Sequence, residues 1–134
     1  IEVSGGAALE EGGAVIFPSA TAEGAPAFTG AAVFRAHRGL LQLRIQEPAL
    51  DLADGAIVLT VGSPWVRGDA EARFAIATAS LDYCHVEEDR LTAIEVRLSD
   101  AGVSAFQGNY AAGAELDPFV AELPGIRRWI DRHC

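Results

Sequence analysis

His37 and Tyr110 are the side chains whose type and setting could do chemistry. An imidazole changes charge near neutral pH and can donate, accept or ligate a metal. A phenol carries an oxygen donor on an apolar ring. His37 lies in the run Phe34-Arg35-Ala36-His37-Arg38-Gly39, where a strand gives out before a glycine and a side chain can reach a pocket mouth. Its ordinary alternative is a half-exposed histidine bonded to a neighbouring carbonyl. Tyr110 lies in Leu98-x-x-x-Gly102-x-x-x-Phe106-x-x-x-Tyr110-x-x-Gly113-x-x-Leu116-Asp117-Pro118. Its ordinary alternative is a core tyrosine with the hydroxyl at the rim.

Two further pairs, Cys84-His85 and His133-Cys134, offer a Cys2His2 set on paper. Neighbours on a strand point to opposite faces, however, and zinc ligands are usually spaced by two or more residues. No metal site is read from them. A Cys84–Cys134 disulfide and two unpaired thiols both stay open. Cys84 and His85 cannot meet as nucleophile and base from adjacent strand positions. With no Gly-x-Ser-x-Gly elbow, phosphate-binding loop or spaced carboxylate pair, no catalytic residue is assigned and no enzyme is expected.

The elements that must hold these groups follow a period of two. From Phe28 to Ala36, residues Phe28, Gly30, Ala32, Phe34 and Ala36 share one face of an expected half-buried strand. Leu41, Leu43 and Ile45 alternate with polar residues up to Glu47-Pro48, where proline ends ladder donation. Residues 49–53 and 56–61 flank Asp54-Gly55, a pair that tolerates positive φ and so predicts a tight hairpin. Residues 62–71 read as a loop anchored by Trp65. Strands follow at 73–81 and 91–98, joined through the acidic turn Glu87-Glu88-Asp89.

Ser99-Asp100 predicts a helix N-cap, Val103, Phe106 and Tyr110 follow at helical spacing, and Gly113 stands where a C-cap glycine is expected. Tyr110 should therefore be buried against a sheet. A last amphipathic helix presents Ile126, Trp129, Ile130 and His133 on one stripe. The expected fold is mainly β: an antiparallel β-sandwich or partly open barrel, with one short helix near residues 99–112 and a short C-terminal helix.

At 134 residues the chain suits a single β-rich domain over 1–134. It begins in what reads as mid-strand, as a piece cut from a longer protein would. Acidic residues outnumber basic ones 19 to 10, net charge is -9, and every basic residue is arginine. Such a surface repels phosphate backbones and anionic headgroups, so no nucleic-acid partner is expected. No stretch reaches the ~18 apolar residues of a membrane-spanning helix.

Phe28-Thr29-Gly30, the run from Phe34 to Gly39 and the motif from Leu98 to Pro118 together resemble the HtaA-type domain of Gram-positive haem-uptake proteins. The likeness reaches from about Val3 to Leu123. It implies a β-sandwich with a late helix, an extracellular or cell-envelope location, haem as cofactor, and haem or a haem-carrying protein as partner. It also implies that His37 and Tyr110 belong to the haem pocket, with Ala36 replacing the first glycine of the family's Phe-x-Gly-His-x-Gly. The family's axial ligand is a tyrosine phenolate, a hard donor suited to ferric iron, placed before the glycine-rich stretch matched by Ser4-Gly5-Gly6-Ala7. No residue before Tyr83 is a tyrosine, so that ligand has no counterpart and weak haem binding is expected. Two functions follow: a haem-binding or haem-transport domain, or a ligand-free structural or protein-interaction β-domain.

Overall fold

The computed structural model describes residues 2–12, 14–20, 25–36, 41–62, 73–105 and 110–133, without the side chains of 34–36, 41–43, 104, 105 and 133. Antiparallel strands dominate them. β1 (Glu2–Ser4), β4 (Ala31–Ala36) and β5 (Leu41–Gln46) form one sheet in the order β1-β4-β5, and β2 (Ala8–Leu9) pairs with β3 (Val15–Ile16) as a ribbon. The largest sheet runs β12-β11-β8-β7-β6, from β6 (Ala49–Ala53), β7 (Ala56–Gly62), β8 (Arg73–Ser80), β11 (Val96–Leu98) and β12 (Glu115–Leu116). A third sheet has the order β13-β10-β9, from β9 (Cys84–Glu87), β10 (Arg90–Ala93) and β13 (Phe119–Glu122). Helices α1 (Asp100–Ala105) and α2 (Ile126–His133) and a 3-10 turn at Leu81–Tyr83 complete the described elements. Among the described residues the architecture is an antiparallel β fold with two α-helices and no closed barrel, in keeping with the β class and the helices that the sequence predicts.

Turn chemistry sets the registers. Asp54 and Gly55 both have positive φ, 51° and 75°, and Ala53 pairs with Ala56 across them, the two-residue hairpin expected. Glu47, at φ 47°, and buried Pro48 turn the chain out of the β4-β5 sheet into the edge strand β6. The sequence predicts antiparallel neighbours in the strands at 28–36, 41–46 and 56–61; β4 and β5 are such neighbours, with Phe34 opposite Leu43, but β7 lies in the largest sheet, between β6 and β8.

Two of the expected long strands are interrupted. The stretch from Phe28 breaks at Gly30, whose φ is 105°; before it, Ala27 and Phe28 make isolated bridges to Ala49 and Ser19. The break accommodates the turn after β1: a Cβ on Gly30 would sit 2.8 Å from the Ala7 nitrogen and 3.1 Å from the Ser4 oxygen. The stretch 91–98 divides into β10 and β11, which belong to different sheets. Leu91 and Ala93 are buried, then Val96 and Leu98, so the inward parity changes and Ile94 is left 40% exposed where the chain crosses. β9 carries the Cys84-His85 pair and supplies the partner across the acidic turn, with Glu87 opposite Arg90.

Apolar side chains from facing sheets meet in two clusters. One joins Val61, Ile76, Ala77 and Ala79 to Ala93 and Val96, with Ile45, Phe74 and Phe119 packed against it. The other joins Leu50 and Ile57 to Leu91, Ala121 and Leu123, and is closed by Ile126, Trp129 and Ile130 of α2. Each fully buried Ile or Leu contributes roughly 1.5–3 kcal/mol of transfer free energy. α2 is also tied at its polar edge: the Arg127 guanidinium donates to the Val86 carbonyl at 2.8 Å, and the Gly125 amide donates to Asp89 Oδ1 at 3.2 Å.

Candidate functional site

The first candidate element is β4, whose far end leads to His37. Residues 37–40, His37 among them, lie outside the described residues. β1 flanks that strand, with Ser4 opposite Ala31 and Glu2 opposite Val33. Going backwards through β1, the edge strand therefore advances along β4 towards Ala36. At the other end of β1, Gly5 and Gly6 turn with φ of 65° and 101°, and the Ala7 amide donates to the Ser4 carbonyl at 3.2 Å. The glycine-rich turn thus docks on Gly30 and anchors the entry to β4.

The second element carries Tyr110. Ser99 caps α1 as expected, its hydroxyl accepting from the Gly102 amide at 3.0 Å and donating to the Ala75 carbonyl of β8. The helix is described as far as Ala105, residues 106–109 lie outside the described residues, and Tyr110 sits in a bend. Tyr110 is an exposed residue, at 41%, which corrects the buried position drawn from helical spacing. That spacing assumed one helix through Tyr110. Gly113, at φ 84°, turns the chain back as predicted, and its amide donates to the Leu98 carbonyl at 2.8 Å. Helix signals mark where a helix starts better than how far it runs, because its last turns depend on what they pack against.

The remaining donors are scattered. Tyr83 is 51% exposed on the 3-10 turn Leu81–Tyr83, and His85 is exposed on β9. Cys84 is a free, half-buried thiol donating to the Ser80 carbonyl at 3.2 Å, and burial pushes its pKa up. Such a thiol is a poor nucleophile. His133's side chain and Cys134 lie outside the described residues. Among the described residues no three His, Cys, Asp or Glu side chains cluster as metal ligands.

A shallow concavity at the β9–β10 turn is lined by Glu87, Glu88, Asp89, Arg90 and Glu122. Its polar groups have structural partners: the Leu123 amide donates to the Asp89 carbonyl at 3.0 Å, and Arg90 pairs with Glu122 at 2.7 Å, both well exposed. An exposed pair of this kind adds little stability. Arg73 donates to the Thr60 carbonyl and hydroxyl, both at 3.0 Å, where β7 and β8 meet, and desolvation lowers its pKa against the raising effect of Glu47. No helix among the described residues is long and apolar enough to cross a membrane.

Sequence reasoning named Ser99 as a cap but missed its bond to β8. It also missed the fit of Gly102, where a Cβ would overlap the Ile76 carbonyl oxygen and approach Leu98 Cδ1 to 2.6 Å. A glycine inside a helix is the signal that could have found it, since glycine there costs about 1 kcal/mol unless something needs the space.

A family model described as HtaA (Htaa) matches residues 1–122. Among solved structures, a domain-swapped dimer of a histidine-to-alanine variant of the C-terminal domain of HtaA from Corynebacterium glutamicum superposes with a TM-score of 0.65 at 20% identity. That match covers 91% of this chain and 82% of that one. The C-terminal domain of HtaA from Corynebacterium glutamicum also superposes, with a TM-score of 0.64 at 18% identity, covering 89% and 78% of the two chains. At such identities these structures establish the shared fold. No curated protein sequence matches the chain significantly.

Proposed function

The chain belongs to the HtaA family, and on that premise we propose that it is a haem-binding or haem-relay domain of the cell envelope, with His37 and Tyr110 in the haem-contacting region. The observation that carries the reading is the exposed position of Tyr110 within an unbroken family motif. An aromatic side chain on an exposed residue can stack on a flat, apolar ligand, and a phenol can bond to it at the edge. The glycine-rich turn and β1 support the same reading, because they border the strand that leads to His37. Haem is cargo here, and residues 1–134 hold it weakly: no tyrosine precedes Tyr83 to give the phenolate expected of the family.

Titration with ferric haem tests this. Saturable binding in the micromolar range is expected, with the Soret band close to that of free haem and rapid transfer to apomyoglobin. Tyr110→Ala should weaken binding about tenfold, whereas Tyr83→Ala should leave it unchanged. The missing tyrosine favours a second reading, a ligand-free protein-interaction domain. Absence of saturable binding would select it.

A further inference from the structure

We propose that the outer face of the β13-β10-β9 sheet is a protein-docking face whose partner is an amphipathic protein segment, apolar on one side and carrying arginine or lysine at one end. The inference stands apart from the haem reading. Strand register aligns the outward positions in rows: Glu87, Arg90 and Glu122 beside the β9–β10 turn, then His85, Thr92 and Val120. Ile94 follows β10 and Tyr83 precedes β9 at the far end. The inward positions Leu91, Ala93 and Ala121 are buried in the two clusters, while the outer side keeps Val120 53%, Tyr83 51% and Ile94 40% exposed. Three of the six large apolar residues exposed among the described residues thus belong to this one small sheet and its approaches, where scattered single residues would call for no partner. At the turn, four carboxylates, Glu87, Glu88, Asp89 and Glu122, meet the single guanidinium of Arg90. The face is therefore acidic at one end and apolar at the other. Apolar contact holds an interface together, and charge selects who makes it. A second copy of this chain fits poorly. Stacked about a two-fold axis along the strands, it lays the acidic row on its own image; about an axis across them, it lays that row on Ile94 and Tyr83. Phosphate backbones and anionic bilayers are repelled by the same carboxylates. A basic amphipathic segment satisfies both ends, with its cations over the turn and its apolar side chains over Val120 and Ile94.

The probe is a synthetic helical peptide with leucines along one side and a run of arginines at one end, titrated into the isotope-labelled chain and followed through amide chemical shifts. Saturable shifts should be confined to residues 83–94 and 118–122. Val120→Asp should weaken binding about tenfold, although it adds a charge that a purely electrostatic contact would welcome. Glu87→Gln combined with Glu88→Gln should weaken it several-fold and flatten its dependence on salt. All three positions are exposed, so these variants should keep the fold, which their unchanged shifts elsewhere check. A peptide with glutamates in place of the arginines should not bind. Shifts spread over the acidic surface at large, or parent-like affinity in Val120→Asp, would reduce the contact to charge alone and overturn the proposal. Absence of saturable binding overturns it too, as does a dimer formed through this face in sedimentation equilibrium or the same shifts with phosphatidylcholine vesicles. Haem enters none of these measurements, so the docking face and the haem reading fail separately.

Discussion

Tyr110 and Trp129 are both aromatic residues on apolar spacings, yet their surroundings differ. Trp129 is 4% exposed in the cluster closed by α2, and Trp129→Ala should cost about 3–5 kcal/mol. Tyr110, at 41% exposure, leaves a much smaller void, so Tyr110→Ala should cost no more than ~2 kcal/mol in urea melts. A loss equal to that of Trp129→Ala would mean the ring is packed. Cys84 gives a pH dependence of definite sign. Burial raises its pKa, so the folded chain holds the thiol proton more tightly than the unfolded chain does. The stability involved is whole below the unfolded-state pKa and is lost as pH rises through that value towards the folded one. In a Cys134→Ser background, disulfide-exchange reagents at mildly alkaline pH should react more slowly with the native protein than with the urea-unfolded chain, and stability should decline on the alkaline side.

At the scale of elements, the β1 turn and the β6–β7 hairpin depend on glycines for different reasons. Gly55 has open space around it and a φ of 75°, so Gly55→Ala should cost about 1 kcal/mol through backbone strain alone. Gly30 adds contact with Ala7 and Ser4 to a φ of 105°, and Gly30→Ala should cost at least ~2 kcal/mol and loosen the seating of β1. Hydrogen exchange at Val3 and Ala7, compared between the two variants, checks that difference. Both hairpin and cap were legible in the sequence because Asp54-Gly55 and Ser99 act on their own neighbours. The break at Gly30 was not, since the residues that require it lie more than twenty positions earlier. The division of 91–98 left a trace in the parity of Leu91 and Ala93 against Val96 and Leu98, which a single strand cannot bury on one face.

For the molecule as a whole, a net charge of -9 with no lysine sets its response to salt. Self-repulsion within a compact acidic domain is screened by ions, so the melting temperature should rise as sodium chloride goes from tens to hundreds of millimolar. Calorimetry at fixed pH checks this, and a flat or falling melting temperature would show the charges to be locally balanced. In the concavity lined by Glu87, Glu88, Asp89, Arg90 and Glu122, four carboxylates meet one guanidinium, so Glu88→Gln should reduce the salt effect.

The sequence by itself determined the β class, the late helix and its cap, the Asp54-Gly55 hairpin, the inward stripe of α2 and the kinship of the whole frame. These rest on local conformational preference, on period, or on motifs a few residues long. Tertiary structure alone decided which strands share a sheet, where strands 28–36 and 91–98 break, and that Tyr110 is an exposed residue. Each of those outcomes is set by groups distant along the chain: Ala7 against Gly30, and the Ala75 and Ile76 carbonyls against Ser99 and Gly102. Contact between distant residues leaves no period in a sequence, and a side chain's exposure is settled by what arrives to cover it.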